Sequence, residues 1–579
     1  PATAPAGITP IASGDTLRVA IQISGSDIPA GDGWCDFDAN LAASNTNCYS
    51  ASRTKDIVQT ATCNNCHGPT SDTKLALHGG GRTEVEYCVT CHNPFTTDAQ
   101  TGNVLDFSVM IHKIHYGRNL ANGYQISGFN NVVSDYSHVA FTKDVDHCAV
   151  CHTGSGADVH NWYMVPTMQA CGACHDDVNF ATGANHGSGG VQTTNGNCAV
   201  CHPPTGPFPP PGLAPQPIQT VHLGTARNAE GALYAGGANG YKIDSVSYAS
   251  SSGVLTIDYH VTRNGSNMTL ESAPQWACTS PPKAPAIAGC AGAAGSSRLA
   301  AVVGFPTSDY TNAGSGSNPA QPISVNALDV GGSVTALGGG LYRTTATLPS
   351  GTSGSAAVAL EGHPAADLNG DGILSDRISV RSSVSFASLG TGRAAGVEPR
   401  RQVVDAAKCN GCHDAAGNGM SFHGNNRTGT EQVCVICHNA NATDVNQRPA
   451  PPTTGVDGKA EVPIDLKRMI HQIHSGADLH DPLIVYGFGH SVNDFSHIHY
   501  IGNRRNCETC HRPGTYGTEH AFDALPTTVD TEADKASSTD DLNISPVASV
   551  CSSCHDSEAA ITHMKLFGAS FHALDADIN

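Results

Sequence analysis

The sequence predicts a multidomain protein in which two loop-rich, sparsely helical domains flank an all-β domain. The 579 residues allow about four domains. The 63 glycines and 33 prolines favour loops and short strands over long helices. Cysteine-rich motifs occupy both ends of the chain but are absent from residues 203–408. We therefore divide the chain into an amino-terminal β remnant (1–52), two cysteine-rich domains (53–217 and 399–579) and a β domain between them (218–398).

The β domain is predicted from short apolar and β-branched runs that are separated by Gly, Ser and Asn turns. A proline-rich linker at 203–217 precedes it. Strands of this kind pack as a sandwich or a small barrel. One further run, Thr16–Ile23, is either a remnant of a β domain or a strand that joins another sheet. The runs within the β domain are Val254–Tyr259, Leu299–Phe305, Leu341–Leu348 and Ile378–Phe386.

Charge and hydropathy exclude two classes of protein. The 30 basic and 50 acidic side chains give a net charge of −20, which argues against a nucleic-acid partner. No run approaches the ~18 apolar residues of a membrane-spanning helix. The chain begins at Pro1 rather than Met. We expect a mature or trimmed form of an exported protein, with the signal segment not in this sequence.

Eighteen of the 22 cysteines lie in nine C-x-x-C-H units, the pattern of covalent c-type haem attachment. Chance would give only ~0.04 such units at this composition. Both thiols form thioether bonds to the porphyrin, and the adjacent histidine becomes the proximal iron ligand. Zinc is the alternative, but a histidine directly after the second cysteine has poor chelating geometry. We expect nine covalently bound haem c groups, five in residues 53–217 and four in residues 399–579.

The attachment units define two sets of residues. The predicted attachment cysteines are Cys63, Cys66, Cys88, Cys91, Cys148, Cys151, Cys171, Cys174, Cys198, Cys201, Cys409, Cys412, Cys434, Cys437, Cys507, Cys510, Cys551 and Cys554. The predicted proximal ligands are His67, His92, His152, His175, His202, His413, His438, His511 and His555.

The two haem domains are copies of one repeat. The first two units of each half are 25 residues apart, at Cys63 and Cys88 and again at Cys409 and Cys434. The segment 112–152 matches 471–511 at a constant offset of 359 residues. Both segments begin with an I-H-x-I-H sequence, whose two histidines lie on one face of a helix. Each pair is therefore predicted to bind two neighbouring irons, with buried structural histidines as the alternative.

Histidines that occur in both halves are the best candidates for the sixth iron ligand. His160 and His520 compete with His138 and His497, and His572 competes with His563. We interpret His222, His260 and His363 as ordinary histidines of the β region. The predicted distal ligands are His78, His112, His115, His138, His186, His423, His471, His474, His497 and His563.

Four cysteines lie outside the haem motifs. Their proximity in sequence pairs Cys35 with Cys48 and Cys278 with Cys290, as disulfides that close loops rather than as redox switches. A second feature resembles the start of a calcium loop, in which Asp367, Asn369 and Asp371 offer alternate oxygens. No glutamate occupies the twelfth position, so an acidic β-turn is the alternative.

The motif set resembles the OmcA/MtrC-type outer-membrane multihaem cytochromes. The resemblance rests on the two haem repeats, the I-H-x-I-H helices, the DYSH and DFSH segments and CGACHDDVNFATG at Cys171. It implies alternating split β-barrel and multihaem domains, with bis-histidine haems packed as a staggered cross. In such a cross the long arm would run from the Cys198 haem to the Cys551 haem.

This chain departs from that family in two respects. It has nine attachment units, whereas the family has ten. The spacing between the fourth and fifth units, counted from Cys551, would place a tenth unit at residue 578. We expect that site to be either cut off or missing. The amino-terminal β domain is nearly absent, and no amino-terminal lipid-bearing cysteine is present.

The resemblance implies an electron-transfer protein rather than an enzyme, with no catalytic residues and at most non-specific metal reduction. It would act at the outer-membrane surface or outside the cell. The expected acceptors are minerals, flavins and other cytochromes. The expected partners are other multihaem cytochromes, a porin–cytochrome complex or further copies of the chain. The alternatives are a multihaem reductase of a small oxyanion and a subunit of an extracellular cytochrome filament.

Overall fold

The computed structural model describes most of the chain, in two compact units, 1–225 and 226–579. The first unit contains the amino-terminal hairpin and the first haem domain. The second contains the β domain and the second haem domain. The described residues are 16–25, 28–38, 55–68, 74–208, 216–236, 239–279, 289–290, 295–312, 320–390, 397–414, 417–449, 455–535 and 537–578.

The first unit consists of short helices and loops with two small hairpins. Its described strands are β1 (Thr16–Gly25), β2 (Ile28–Asp38), β3 (Gln125–Ser127) and β4 (Val133–Asp135). Its described helices are α1 (Thr60–His67), α2 (Val85–Cys91), α3 (Phe107–Tyr116), α4 (Asn161–Met164), α5 (Met168–Cys174), α6 (Cys198–Cys201) and α7 (Ile218–Val221). Helix α8 (Gly224–Ala232) runs across the boundary into the second unit.

The amino-terminal hairpin packs against the second attachment motif. Strands β1 and β2 are antiparallel. Arg18 Nη1 donates to Glu86 O at 3.1 Å, at the start of α2. The Asp32 carboxylate accepts from the backbone N–H of Thr83 at 3.1 Å. The strand predicted at Thr16–Ile23 therefore supports a haem motif of its own unit.

Helix α3, which carries the first I-H-x-I-H sequence, has defined ends. Asp106 caps its start by accepting from Ser108 N at 2.8 Å. The helix ends at Gly117, which has a φ of +43° and lies so close to Val139 that a Cβ would collide with it. These two signals fix the length of the helix and therefore the positions of its histidines.

The second half repeats this helix as α12 (Leu466–Ser475). Asp465 caps α12 by accepting from Lys467 N at 3.4 Å. Gly476, with a φ of +34°, ends it against Ile498. Helices α3 and α12, which the sequence repeat relates, therefore begin at an aspartate cap and end at a glycine in the same way.

The β domain is built from two antiparallel sheets that share one core. One sheet has the order β10 (Val334–Gly338), β11 (Leu341–Thr347), β6 (Val254–Arg263) and β5 (Gly240–Ala249), with β7 (Ser266–Asn267) also paired to β6. The other has the order β15 (Ser383–Ser388), β12 (Ser355–His363), β8 (Arg298–Gly304) and β9 (Ile323–Asn326). Alternate residues of each sheet, such as Ile257 on β6 and Val303 on β8, fill the space between the sheets. Every residue of β12 is buried, which indicates that both faces of this strand are covered.

Three of the four predicted strands are present in the second unit. The predicted run Val254–Tyr259 lies in β6, Leu299–Phe305 matches β8 and Leu341–Leu348 matches β11. The strands of the second unit are β5 (Gly240–Ala249), β6 (Val254–Arg263), β7 (Ser266–Asn267), β8 (Arg298–Gly304), β9 (Ile323–Asn326), β10 (Val334–Gly338), β11 (Leu341–Thr347), β12 (Ser355–His363), β13 (Ala365–Ala366), β14 (Asp376–Arg377), β15 (Ser383–Ser388), β16 (Ser421–Phe422), β17 (Arg427–Thr428), β18 (Ile484–Gly487), β19 (Ser491–Asp494), β20 (Thr527–Asp530) and β21 (Leu542–Ile544). Its remaining helices are α9 (Pro274–Ala277), α10 (Ala406–His413), α11 (Glu431–Cys437), α13 (Pro546–Cys551) and α14 (Glu558–Leu566), together with α12.

The fourth predicted strand, Ile378–Phe386, is only partly a strand. Residues 383–388 form β15, but the preceding residues bond elsewhere. Ile378 N donates to Pro364 O at 3.1 Å, and Ser382 N donates to Thr428 O at 2.9 Å. This part of the segment therefore connects the β domain to the second haem domain.

Helix α11, which carries the seventh attachment motif, covers the outer face of the four-stranded sheet. Val433 and Ile436 pack with Val302 of β8 and Ala357 of β12. Strand β12 is therefore buried on its inner face by the other sheet and on its outer face by α11.

Two ionic contacts strengthen the junction between the β domain and the second haem domain. The fully buried Glu361 carboxylate accepts two bonds from the Arg427 guanidinium, both at 2.7 Å. Asp309 pairs with Arg400 and Arg401 at 3.2 and 3.0 Å. Burial alone would raise the pKa of Asp309, but these two cations lower it overall.

The predicted fold class is confirmed: two loop-rich, sparsely helical segments flank an all-β domain in the chain. The β domain contains the disulfide Cys278–Cys290. Cys35 is also disulfide-bonded, and its predicted partner Cys48 lies outside the described residues. Within the described ranges, no helix has both the length and the hydropathy needed to cross a membrane.

Candidate functional site

Each attachment motif forms one turn of helix, which brings both cysteines and the histidine to the same side. In α5, for example, the backbone N–H of His175 donates to Cys171 O at 2.9 Å. The same bond occurs at the ninth motif, from His555 N to Cys551 O at 2.9 Å. Residues at positions i, i+3 and i+4 share a helix face, so two thioether bonds and one iron ligand can reach a single porphyrin.

Eight of the nine proximal histidines face a second histidine ring. Two imidazoles that bind one metal ion from opposite sides, with metal–nitrogen bonds of about 2.0 Å, have ring centres about 6.2 Å apart. The separations between ring centres here run from 5.9 to 6.4 Å, so the residues fit a haem iron between them. The pairs are His67–His115, His78–His92, His112–His152, His175–His222 and His186–His202 in the first unit, and His413–His474, His423–His438 and His471–His511 in the second.

One helix in each half contributes to two of these pairs. In α3, His112 faces His152 while His115 faces His67. In α12, the equivalent histidines face the proximal histidines of the sixth and eighth motifs. The binding of two neighbouring irons by one I-H-x-I-H helix stays a prediction, and these ring pairs supply the geometry that it needs.

Backbone carbonyls orient many of the rings. His115 Nδ1 lies 2.9 Å from Ile111 O, so Nδ1–H donates and the lone pair of Nε2 is free for a metal. His92 Nδ1 makes the same kind of contact with Leu105 O at 3.0 Å. Further contacts from Nδ1 to carbonyl oxygens are His186 to Gly190 at 2.9 Å, His222 to Ile218 at 2.7 Å, His438 to Ile464 at 2.8 Å, His471 to Lys467 at 2.6 Å and His474 to Ile470 at 2.9 Å.

In several of the facing histidines, burial favours the neutral imidazole, which is the form that binds iron. Loss of solvent lowers the pKa of four of them to about 4, namely His67, His152, His423 and His511. Burial also raises the pKa of the Cys148, Cys434 and Cys437 thiols to about 12. Both shifts reflect the low polarity of the surroundings that a porphyrin would share.

Two of the facing histidines have an uncommon backbone conformation. His78 has a φ of +52° and His423 has a φ of +56°. Non-glycine residues with positive φ are uncommon, and such strain is concentrated at functional sites. The strain occurs at the same position of both repeats, and each ring faces the proximal histidine of the second motif in its half.

His222 lies elsewhere than the sequence suggested. We expected it in the β region, but it follows α7 in the first unit and faces His175 at 6.4 Å. A count of ligands could have indicated this, since His222 lies only 20 residues after His202 and just beyond the proline-rich linker. The other two histidines assigned to the β region do lie there, with His260 bonded to Asp244 and His363 buried in β12.

The facing partners described in the first unit are histidines other than His138, a predicted distal ligand, and its competitor His160, whose ring contacts Tyr163. The turn that carries His138 is held beside the end of α3, where Arg118 N donates to Val139 O at 3.0 Å. In the described part of the second unit, the facing partners are His423, His471 and His474. The five facing partners in the first unit are His78, His112, His115, His186 and His222.

The ninth proximal histidine, His555, differs from the other eight. In the described part of the second unit, no histidine ring faces it. His563, a predicted distal ligand, instead contacts Phe567, with ring centres 4.6 Å apart.

The predicted calcium loop connects β13 and β14. Its acidic side chains accept bonds from its own backbone, with Asp367 Oδ1 3.1 Å from Asp371 N and Asp371 Oδ1 2.7 Å from Ile373 N. In the residues that the structure covers, no group of three or more His, Cys, Asp or Glu side chains is arranged to hold a metal ion. Calcium binding at Asp367, Asn369 and Asp371 stays a prediction.

The fold of this chain is similar to that of two solved multihaem cytochromes. The structure is similar to the crystal structure of MtrC from Shewanella baltica OS185, with a TM-score of 0.62 and 18% identity, over 99% of this chain and 80% of that chain. It is also similar to the crystal structure of the outer-membrane decahaem cytochrome OmcA, with a TM-score of 0.61 and 20% identity, over 97% of this chain and 76% of that one. These similarities support the fold.

Sequence comparison shows the family. A stretch of 180 residues is 31% identical to multihaem cytochrome MtrC of Shewanella baltica (strain OS185), and covers 31% of this chain and 22% of that relative. The match therefore spans about a fifth of the relative. A family model for outer-membrane cytochromes of the MtrC/MtrF-like type, domains II/IV, matches residues 55–208 and 401–578, together more than half of the chain. The chain therefore belongs to the MtrC/MtrF-like outer-membrane cytochrome family and is a multihaem c-type cytochrome.

Proposed function

We propose that this chain carries nine covalently attached haems and conducts electrons to acceptors outside the cell. The observation that supports this best is the repeated set of eight histidine ring pairs, each separated by the span of one iron and its two ligands. The nine attachment motifs supply the thiols and proximal histidines. The facing histidines supply the sixth ligands.

Iron with two histidine ligands exchanges electrons without binding a substrate. The bound haems supply the one-electron chemistry, and the chain provides ligands, spacing and surroundings. A methionine ligand raises the reduction potential of a haem, and this ligand set contains two histidines and no methionine. We therefore expect low reduction potentials. This ligand set favours a conduit over a reductase of small oxyanions.

The sharing of α3 and α12 between motifs supports electron transfer within each unit. His112 and His115 are three residues apart on one helix, so the irons that they bind are neighbours. We further propose that electrons cross between the halves, along a path from the Cys198 haem to the Cys551 haem. Suitable acceptors are minerals, flavins and other cytochromes.

The proposed location is the outer-membrane surface or the extracellular space. The family match and the MtrC relative support this location. Other multihaem cytochromes, a porin–cytochrome complex or further copies of the chain are the proposed partners. The net charge of −20 favours partners or acceptors that present positive charge, such as ferric iron.

Stopped-flow oxidation of the fully reduced protein tests the proposal. Haem content measured by mass and by pyridine haemochrome absorbance should be nine per chain. Ferric citrate should oxidise all nine haems in one experiment, whereas nitrite should leave them reduced. Three outcomes would contradict the proposed electron conduit. They are a haem count below nine, haems that ferric citrate cannot oxidise, and catalytic consumption of nitrite.

A further inference from the structure

An aromatic side chain meets the last histidine of each I-H-x-I-H helix edge-on. The ring of Phe141 lies 5.6 Å from that of His115, with an angle of 87° between the ring planes. The ring of Tyr500 lies 5.5 Å from that of His474, with an angle of 88°. Residues 141 and 500 differ by 359, the offset of the internal repeat. The two aromatic side chains therefore occupy equivalent places and differ by one hydroxyl group.

The other contacts of these two histidines also match. His115 faces His67 at 6.0 Å, and His474 faces His413 at 6.1 Å. The Nδ1 atom of each ring lies 2.9 Å from a backbone carbonyl oxygen of its own helix. The histidine pairs and their hydrogen bonds are therefore alike in the two halves. The side chains around them make the difference.

The hydroxyl of Tyr500 has a partner that the first half lacks. It is hydrogen-bonded to the side chain of Thr509, which lies between the two cysteines of the eighth motif. The repeat places Val150 at this position in the third motif. A polar, hydrogen-bonded pair in the second unit thus replaces the apolar side chains of Phe141 and Val150 in the first.

The backbone beside the phenol leaves room for it. A Cβ atom on Gly502 would lie only 2.9 Å from Tyr500 Cε1 and 3.2 Å from the hydroxyl oxygen. The repeat has Lys143 at this position. The glycine therefore belongs to the same set of differences between the halves as Tyr500 and Thr509.

The phenol of Tyr500 is close to two attachment motifs. The thiols of Cys412 in the sixth motif and Cys510 in the eighth lie near enough to act on it electrostatically. The side chain is half-buried, so the protein replaces part of the water around it. A phenol is uncharged at neutral pH. Its hydroxyl therefore changes the polarity of this place and leaves the charge unchanged.

We propose that Tyr500 and Thr509 lower the reduction potential of the haem between His413 and His474, through the polarity of their hydrogen-bonded hydroxyls. With a porphyrin dianion and two neutral imidazoles, ferric iron keeps one net positive charge and ferrous iron has none, by formal counting. Polar groups nearby stabilise the charged form, whereas apolar surroundings raise the potential. The pair acts through the surroundings of His474 and does not bind iron. This inference rests on the proposed haem attachment and adds residues that tune one haem.

Spectroelectrochemical titration of the nine-haem chain tests the pair. Tyr500→Phe and Thr509→Val introduce the residues that the chain already has at positions 141 and 150, so both variants should fold and keep nine haems. In each variant the titration curve should change for one haem in nine. At a fixed electrode potential, its ratio of reduced to oxidised haem should rise about threefold, which is about 28 mV. The double variant should shift this haem by less than the sum, because both substitutions break the same hydrogen bond.

The control is Tyr248→Phe, which removes a tyrosine hydroxyl from β5 of the β domain and should leave every potential unchanged. Unchanged potentials in Tyr500→Phe, or a shift to lower potential, would overturn the inference. A loss of stability without a change in potential would give the pair a purely structural role and overturn it as well. If Tyr500→Phe loses a haem, Thr509→Val decides the outcome by the same criteria. A haem count below nine in the unmodified chain would instead count against the proposed function.

Discussion

The partner of His175 comes from the segment after the proline-rich linker. The ring of His222 lies 6.4 Å from that of His175, and its Nδ1 is bonded to Ile218 O. We therefore expect His222→Ala to add one high-spin ferric haem per chain, measured by electron paramagnetic resonance. His260→Ala is the control, because His260 is bonded to Asp244 in the β domain. If His138→Ala adds the high-spin haem and His222→Ala does not, the assignment is wrong.

A second residue, Asp541, makes stability depend on pH. Burial raises its pKa to about 6, and the nearby carboxylates of Asp540, Glu461 and Asp575 act in the same direction. The folded state therefore holds this proton more tightly than the unfolded state, and stability falls as pH rises from about 4 to about 6. We expect Asp541→Asn to increase the free energy of unfolding by about 1–2 kcal/mol at pH 7 but hardly at pH 4.

Urea unfolding at these two pH values measures that effect. The control is Asp577→Asn, an exposed aspartate of the same region, which should change neither value. An equal gain for Asp541→Asn at both pH values would show that the carboxylate does not titrate as described.

At the scale of elements, the pairing of Glu361 on β12 with Arg427 on β17 joins the β domain to the second haem domain. Both partners make two bonds at 2.7 Å, and the glutamate is fully buried. Removing one partner of a buried pair leaves an uncompensated charge, at a cost of about 3–5 kcal/mol. We expect Glu361→Gln to lower the free energy of unfolding of the second unit by roughly 3 kcal/mol in urea titrations followed by circular dichroism.

The matched control for that substitution is a partly exposed ion pair of the same unit. Lys459 pairs with Asp481 at 2.6 Å, but Lys459 is only half-buried and Asp481 is exposed. Lys459→Ala should change the free energy of unfolding by less than about 1 kcal/mol. Equal effects of the two substitutions would mean that the junction does not depend on the buried pair.

At the scale of the whole molecule, charge should couple reduction to proton uptake. A ferric haem with two neutral imidazoles and two ionised propionates carries about −1, and the ferrous form about −2, by formal counting. Nine haems would therefore take the net charge of −20 to about −29 when oxidised and about −38 when reduced. Reduction then raises the affinity of the propionates for protons.

Because reduction is coupled to proton uptake, the reduction potentials of the haems should fall as pH rises near neutrality. We expect a slope of less than about 59 mV per pH unit. Spectroelectrochemical titration of the whole chain at several pH values measures this slope. Higher ionic strength should reduce the slope, because salt screens the exposed charges. Potentials that do not change with pH would contradict the coupling.

Much of this molecule follows from local sequence. A haem attachment motif needs only five consecutive residues, and one helical turn brings its cysteines and histidine to one side, so the motifs are visible without a fold. The I-H-x-I-H helices and their repeat are local for the same reason. Short alternating runs likewise predicted strands β6, β8 and β11.

The tertiary structure alone decided which histidines face each other. The choice of His222 over His138 depends on the path of the chain after the linker, which no local spacing encodes. The same is true of β12, whose burial on both faces comes from α11 packing against it. Covalent attachment is set by neighbours in sequence, whereas a sixth ligand is set by distance in space, and only the folded backbone fixes that distance.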